Sequence, residues 1–319
     1  MRFKRSMAGL ATVAVLASAD AGAETKYPVS PVSLVTHSSP GGGSDVFLRE
    51  LVKHLTPAMG ASFAIDNTRG GSGAAAIAKV AKSAPNGGTF YATTPTYIQT
   101  SLLSKPAVGY DGLDPMVVVF LDPEVIYTRA ASPFRTLAEA MAHARANPGR
   151  AKWGAANPAS LERIALERLK KAGGVQAAVV SHEGGGDLMI NVLNGTLDFG
   201  IGEIQEIRAQ LDAGKVRLLG VLTETRLADF PDLATAREQG FDVVVTKFRG
   251  LAGPKGIPDE IAARWERAIR QVLASDAYKA EYMKESLIPA PMGRAEARAF
   301  TRKFAEEVTT ALRELGVIR

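Results

Sequence analysis

Apolar residues along this chain recur with two periods, and the two alternate. Val32-Ser33-Leu34-Val35-Thr36 reads as a strand and is followed by a stretch with Phe47, Leu48, Leu51, Val52 and Leu55 on one helical face. Phe63 to Asp66 is the next strand, then an Ala-rich helix from Ala74 to Lys82, then a strand from Thr89 to Ala92. Val117 to Phe120 and Val125 to Tyr127 are further β runs, and Thr136-Leu137-Ala138-Glu139 has the spacing of a capping box opening a helix. Strands at Lys152, Ala178, Leu197 and Val216 follow, with helices at Leu161–Lys171 and Leu188–Leu193 between them. The chain ends in two amphipathic helices, Asp259–Ala274 and Arg294–Leu315. Strands separated by helices of this length predict βαβ units and an α/β fold with mainly parallel sheets.

Residues 1–23 stand outside that pattern. Arg2, Lys4 and Arg5 precede an apolar run from Met7 to Ala17, and Ala21-Gly22-Ala23 supplies small residues of the kind a signal peptidase reads. That order predicts an export signal, and the run is too short to span a bilayer. The net charge is +5, of which +2 lies in this segment, so the remainder carries about +3. So small a balance, with Lys and Arg spread singly, argues against a nucleic-acid partner. With no cysteine in the chain, disulfides, thiol nucleophiles and cysteine-ligated zinc are excluded together.

The candidate chemistry lies where strands end. Pro40-Gly41-Gly42-Gly43-Ser44-Asp45 joins a strand to a helix. Its glycines let backbone approach a ligand, and the helix's first N–H groups lack internal partners, which suits an anion. Gly-Lys-Ser/Thr does not follow, so this is no P-loop, and the third glycine of a dinucleotide fingerprint is missing. Thr93-Thr94-Pro95-Thr96, Asn157-Pro158-Ala159-Ser160 and His182-Glu183-Gly184-Gly185 occupy equivalent places after other strands. Ligands in open α/β sheets bind beyond the carboxyl ends of strands, so four such loops predict one binding cleft. Catalysis has less support. Ser44, His37 and Asp45 can be grouped, but without a nucleophile elbow, and no metal-binding spacing is present. Neither a metal nor a cofactor is expected.

With these loops in hand, the chain resembles the substrate-binding proteins of the tripartite tricarboxylate transporters, the Bordetella-uptake-gene family. The similarity runs from Tyr27-Pro28 to the C-terminus. It is carried by Gly41–Asp45, Asn67–Gly71, Ala84-Pro85-Asn86-Gly87-Gly88-Thr89, Asn194–Asp198, Gly214–Arg217, Phe230-Pro231-Asp232 and Arg249–Pro254. The resemblance implies two α/β lobes closing on a ligand: residues 27–127 with 248–319, and residues 128–247. It implies a non-enzymatic, periplasmic receptor, expected to be a monomer, that captures a small mono- or dicarboxylic acid, aromatic acids included, for membrane transporter subunits. Two other readings of the same cleft are a co-receptor for a sensor kinase and a hydrolase or isomerase acting on a carboxylate.

Carried onto this chain, the resemblance makes Ser38, Ser39, Gly41, Gly42, Gly43, Ser44, Asp45, Thr93, Thr94 and Thr96 the first lobe's ligand-binding residues. Asn157, Ser160, His182, Glu183, Gly184, Gly185 and Glu203 would come from the second, with Phe248 and Arg249 at the return crossing. His37-Ser38-Ser39 and His182-Glu183-Gly184 depart from the family's usual runs at these places. Arg249 has two open roles: pairing a second ligand carboxylate, which favours a diacid, or pairing an acidic neighbour such as Glu203.

Overall fold

The computed structural model describes residues 27–314 and 316–318. The expected export signal lies outside the described residues.

Two sheets organise the chain. The first contains β1 (Val32–Thr36), β2 (Phe63–Asn67), β3 (Thr89–Thr93), β4 (Leu113–Asp122), β10 (Lys247–Pro254) and β11 (Ile288–Met292), in the order β11-β4-β10-β3-β1-β2. The second contains β5 (Glu124–Arg129), β6 (Ala151–Ala155), β7 (Ala177–Ser181), β8 (Phe199–Glu203) and β9 (Val216–Val221), in the order β7-β6-β8-β5-β9. Within each sheet the parallel pairs (β1 with β2 and β3, β6 with β7 and β8) are those the helical connections build. Every antiparallel pair involves β4, β5 or β10, the strands beside the crossings between sheets. Strands arriving from the other sheet enter against the prevailing direction, and each sheet is therefore mixed.

The chain crosses outward through one residue, Pro123, between β4 and β5, and returns just before β10. All eight residues of β10 are buried, including Lys247 and Arg249. The crossings therefore bring charge into the middle of the molecule.

Each sheet has its own apolar core. Under the first, α1 (Gly43–Met59) sets Phe47, Leu48, Leu51 and Leu55 against Trp265 and Ile269 of α8 (Asp259–Leu273) and the aromatic Phe120. Under the second, Trp153 stacks on Phe199 beside Leu166 and Leu169 of α5 (Leu161–Gly173). Packing at this density fixes the strand ends, and with them the loops that carry the chemistry.

The helices the periodicity predicts are present, with α1 and α6 (Gly185–Leu193) starting earlier than their apolar stripes. Three more are added: α3 (Pro95–Ser104), α7 (Ile204–Asp212) and α9 (Asp276–Lys284). Among the described residues no helix is long and apolar enough to cross a membrane.

Candidate functional site: a charged cleft where five helices begin

Five helices start at one place. Gly43 and Ser44 of α1, Thr94 and Thr96 at α3, Asn157 and Glu162 at α5, Gly184 and Gly185 at α6, and Glu203 and Glu206 at α7 all line a single cavity between the sheets. His37, Ser38, Ala156, Lys247 and Arg249 complete it. Local chemistry sets the starts. Thr94 Oγ1 accepts from Thr96 N at 3.3 Å, with Pro95 in the first turn, and Ser160 Oγ accepts from Arg163 N at 3.2 Å. Glycines open α1 and α6, where neighbours come too close for a side chain. A methyl on Gly43 would overlap Glu203 Oε2 and Arg249 Nη2, and one on Gly184 would overlap Ser39. Each helix start carries about half a positive charge, so the five together present a positive field.

The cavity itself is small, about 20 Å³, room for about one water. The lobes are closed. Gly184 meets Ser39 across the cleft, Arg69 pairs with Asp187 at 2.5 Å, and Ile164 packs with Val308 and Leu312. A roomier depression of about 810 Å³ lies on the outer side of the second sheet, beside β9 and Phe230, but its ionisable residues are exposed or half-buried. The strong electrostatics belong to the cleft.

There, two cations meet four acids. Lys247 Nζ lies 2.6 Å from Glu162 Oε1 and 3.1 Å from Glu124 Oε1, and contacts Glu203. Arg249 donates from Nε to Asp122 Oδ2 at 2.7 Å and from Nη1 to Ser44 Oγ at 3.0 Å, with Nη2 3.1 Å from Glu203 Oε1. Arg249 thus has acidic partners of its own, the second of its two sequence readings. Glu124, Glu162 and Glu203 present oxygens in an arrangement that suits a cation, and the Lys247 ammonium stands among them.

Burial and charge pull these groups apart in acidity. Burial alone would raise Glu203, but Lys247 and Arg249 outweigh it and hold its carboxyl well below the usual range. Burial pushes Asp122 up to about 6 against the pull of Arg249. Burial also raises Glu124 well above its ordinary value despite Lys247, and raises Glu206 likewise, with the Glu203 charge adding to it. Lys247 is opposed by burial yet held charged by Glu124, Glu162 and Glu203. Burial first, then Lys247 and Arg249, press His37 down to about 3. It is therefore neutral at pH 7, with Nδ1 2.7 Å from the Tyr91 hydroxyl.

Of the residues named from sequence, Ser38, Gly43, Ser44, Thr94, Thr96, Asn157, Gly184, Gly185, Glu203 and Arg249 line the cavity. Ser39 and Gly42 lie at its edge, where a methyl on Gly42 would come 3.3 Å from Gly185 N. Gly41 and Asp45 turn away: Asp45 accepts from Gly41 N, Arg49 and Asn67. Thr93 sits in the ladder opposite Gly250, and Ser160 caps α5. His182 Nδ1 is 3.2 Å from Ala155 O, and Glu183 is exposed. The Phe248 ring packs with Tyr97, Phe300 and Phe304, away from the cavity.

Sequence reasoning missed Lys247, Glu162 and Glu206. A lysine in an otherwise buried strand was the one available signal. Glu162 reads as an ordinary acid in a helix's first turn, and Glu206 lies in a helix that the periodicity does not predict.

Known proteins sharpen the picture. The family described as "Tripartite tricarboxylate transporter family receptor" matches residues 47–316. The chain belongs to that family. Protein BugT of Bordetella pertussis is 24% identical over 297 residues, covering 91% of this chain and 90% of BugT. Among solved structures, R. palustris Rpa4515 with adipate superposes with a TM-score of 0.86 at 24% identity, over 91% of this chain and 98% of that one. MatC from Rhodopseudomonas palustris with bound malate gives 0.80 at 24% identity, over 89% and 98%. These likenesses establish the two-lobed fold of periplasmic binding proteins, with helices flanking both sheets.

Proposed function

We propose that this chain is a periplasmic receptor that captures a small organic carboxylate between its lobes and delivers it to the membrane subunits of a tripartite tricarboxylate-type transporter. The observation that carries the reading is Glu203. Its carboxylate, held ionised, lies against the first residue of α1 beside Arg249. The chain's own acid thus marks where an anion is stabilised, at a helix start backed by buried donors. Two structural neighbours, Rpa4515 and MatC, hold adipate and malate.

In the capture step the second lobe swings out, hinged at Pro123 and before Lys247, and Glu203 leaves the start of α1. The ligand carboxylate then takes the Gly43 and Ser44 N–H groups and the hydroxyls of Ser38, Thr94 and Thr96. Closure removes water and strengthens these bonds. Nothing in the step breaks a covalent bond.

A thermal-shift screen of the secreted form against mono-, di- and tricarboxylates, aromatic acids and amino acids tests this. A ligand that binds only the folded state adds about 2.7 kcal/mol at one hundred times Kd. A large shift from one class of acid is the expected result. No shift from any acid, in a sample shown to be folded, ends the carboxylate reading.

A further inference from the structure

We propose that the preferred ligand is an amine-bearing acid, its carboxylate against α1 and its ammonium against Glu162 and Glu206, rather than a diacid. This deepens the receptor reading above and rests on it.

The two walls of the cavity are chemically opposite. On the first-sheet side stand donors: the start of α1, and Arg249, whose Nη2 lies 3.1 Å from Glu203 Oε1 and is freed for the ligand when Glu203 withdraws. On the second-sheet side stand acceptors. Glu162 is 2% exposed, lines the cavity and has Oε2 without a protein donor. Glu206 also lines it, packed so closely on Gly185 that a methyl there would overlap its carboxyl, with Oε1 equally without a donor. A buried acceptor without a donor is costly, so a ligand that supplies N–H groups there gains what water would otherwise provide.

A diacid has nothing to offer that wall. Its second carboxylate would meet Glu162 and Glu206, and the cations that could rescue it are already engaged: Lys247 by Glu124 and Glu162, and Arg249 by Asp122 and the first carboxylate. An ammonium meets two acceptors and is matched by charge. The groups facing Glu206 are Glu203 from its own helix start, Tyr127 from β5, Glu162 from α5 and Lys247 from β10. Burial and the Glu203 charge hold Glu206 towards its protonated form, and an arriving ammonium favours the ionised one, so binding releases protons.

Calorimetric titration at pH 7 in two buffers of different ionisation enthalpy reads both features. The probes are four- and six-carbon series, each with a plain acid, the diacid, the 2-amino acid and the terminal amino acid. In at least one series an amino acid should bind ten-fold or more tighter than the plain acid and the diacid, with proton release. Glu206→Gln should erase most of that preference. A diacid or plain acid that binds as tightly as every amino acid of its series, or amino-acid binding without proton release, overturns the inference and leaves the carboxylate receptor standing. No binding by any acid of either series fails the receptor reading as well.

Discussion

The buried charges show how single residues hold the cleft together. Burying several carboxylates and two cations is tolerable only when each keeps a partner, and removing one partner leaves the others exposed to the full cost of desolvation. Lys247 is the member with most to lose, since it alone answers Glu124 and Glu162. Lys247→Met should therefore destabilise the protein by about 3–5 kcal/mol, read as a lower urea midpoint. A loss under about 1 kcal/mol, the range of exposed pairs, would mean that the acids relax without it.

His37 supplies a separate signature in pH. Its ordinary value of 6.5 falls to about 3 in the fold, so the unfolded chain binds the proton more readily. Its contribution to stability is complete above pH 6.5 and is lost as pH falls towards 3, at about 1.4 kcal/mol per pH unit. Subtracting the stability profile of His37→Asn from that of the wild type should isolate this slope between pH 6 and 4. A flat difference would show His37 titrating normally.

At the scale of elements, much was legible. The strands from Val32 to Val221 and the helices with clear apolar stripes follow from periodicity, because one face of each must be buried. Thr136 caps α4 (Leu137–Ala146) as its capping box predicts, with Oγ1 accepting from Glu139 N at 3.1 Å. The four strand-end loops converge because strands that lie side by side place their ends side by side. What could not be read was direction. Asp45 turns onto Arg49 and Asn67, Glu183 faces solvent and Phe248 packs into an aromatic cluster, choices made by neighbours far away in sequence. α3, whose apolar stripe is weak, also escaped notice, as did α7, although both line the site.

Two caps separate structure from binding. Thr136→Ala and Thr94→Ala should each cost about 1 kcal/mol by loss of an N-cap, measured by denaturant titration. Thr94→Ala alone should also weaken ligand, since only that hydroxyl lines the cleft. Equal affinities for the two variants would remove Thr94 from the site.

The whole molecule joins these parts through its crossings. Asp122 and Glu124 flank the outward passage, and Lys247 and Arg249 follow the return, so the charges that line the cleft also sit at the crossings between sheets. Opening the lobes must draw Glu203 away from α1 and separate Arg69 from Asp187 and Arg208 from Glu285. The exposed Arg69–Asp187 pair contributes little, which leaves the half-buried Arg208–Glu285 pair, the Ile164–Val308–Leu312 contact and the cleft itself to hold the lobes together. On the proposed capture reading, a ligand that replaces Glu203 at the helix start would act on whether the lobes stay together.

That dependence can be measured at one glycine. A methyl on Gly186, inside α6, would come 2.5 Å from Pro40 O across the cleft, and its three nearest neighbours all lie on the first lobe, so Gly186→Ala should obstruct closure while leaving each lobe folded. Calorimetric titration of wild type and Gly186→Ala with the acid giving the largest thermal shift is the decisive comparison. Capture between the lobes predicts at least a ten-fold loss of affinity with the melting temperature of the free protein little changed. Unchanged affinity in the variant would place the ligand elsewhere and contradict the account.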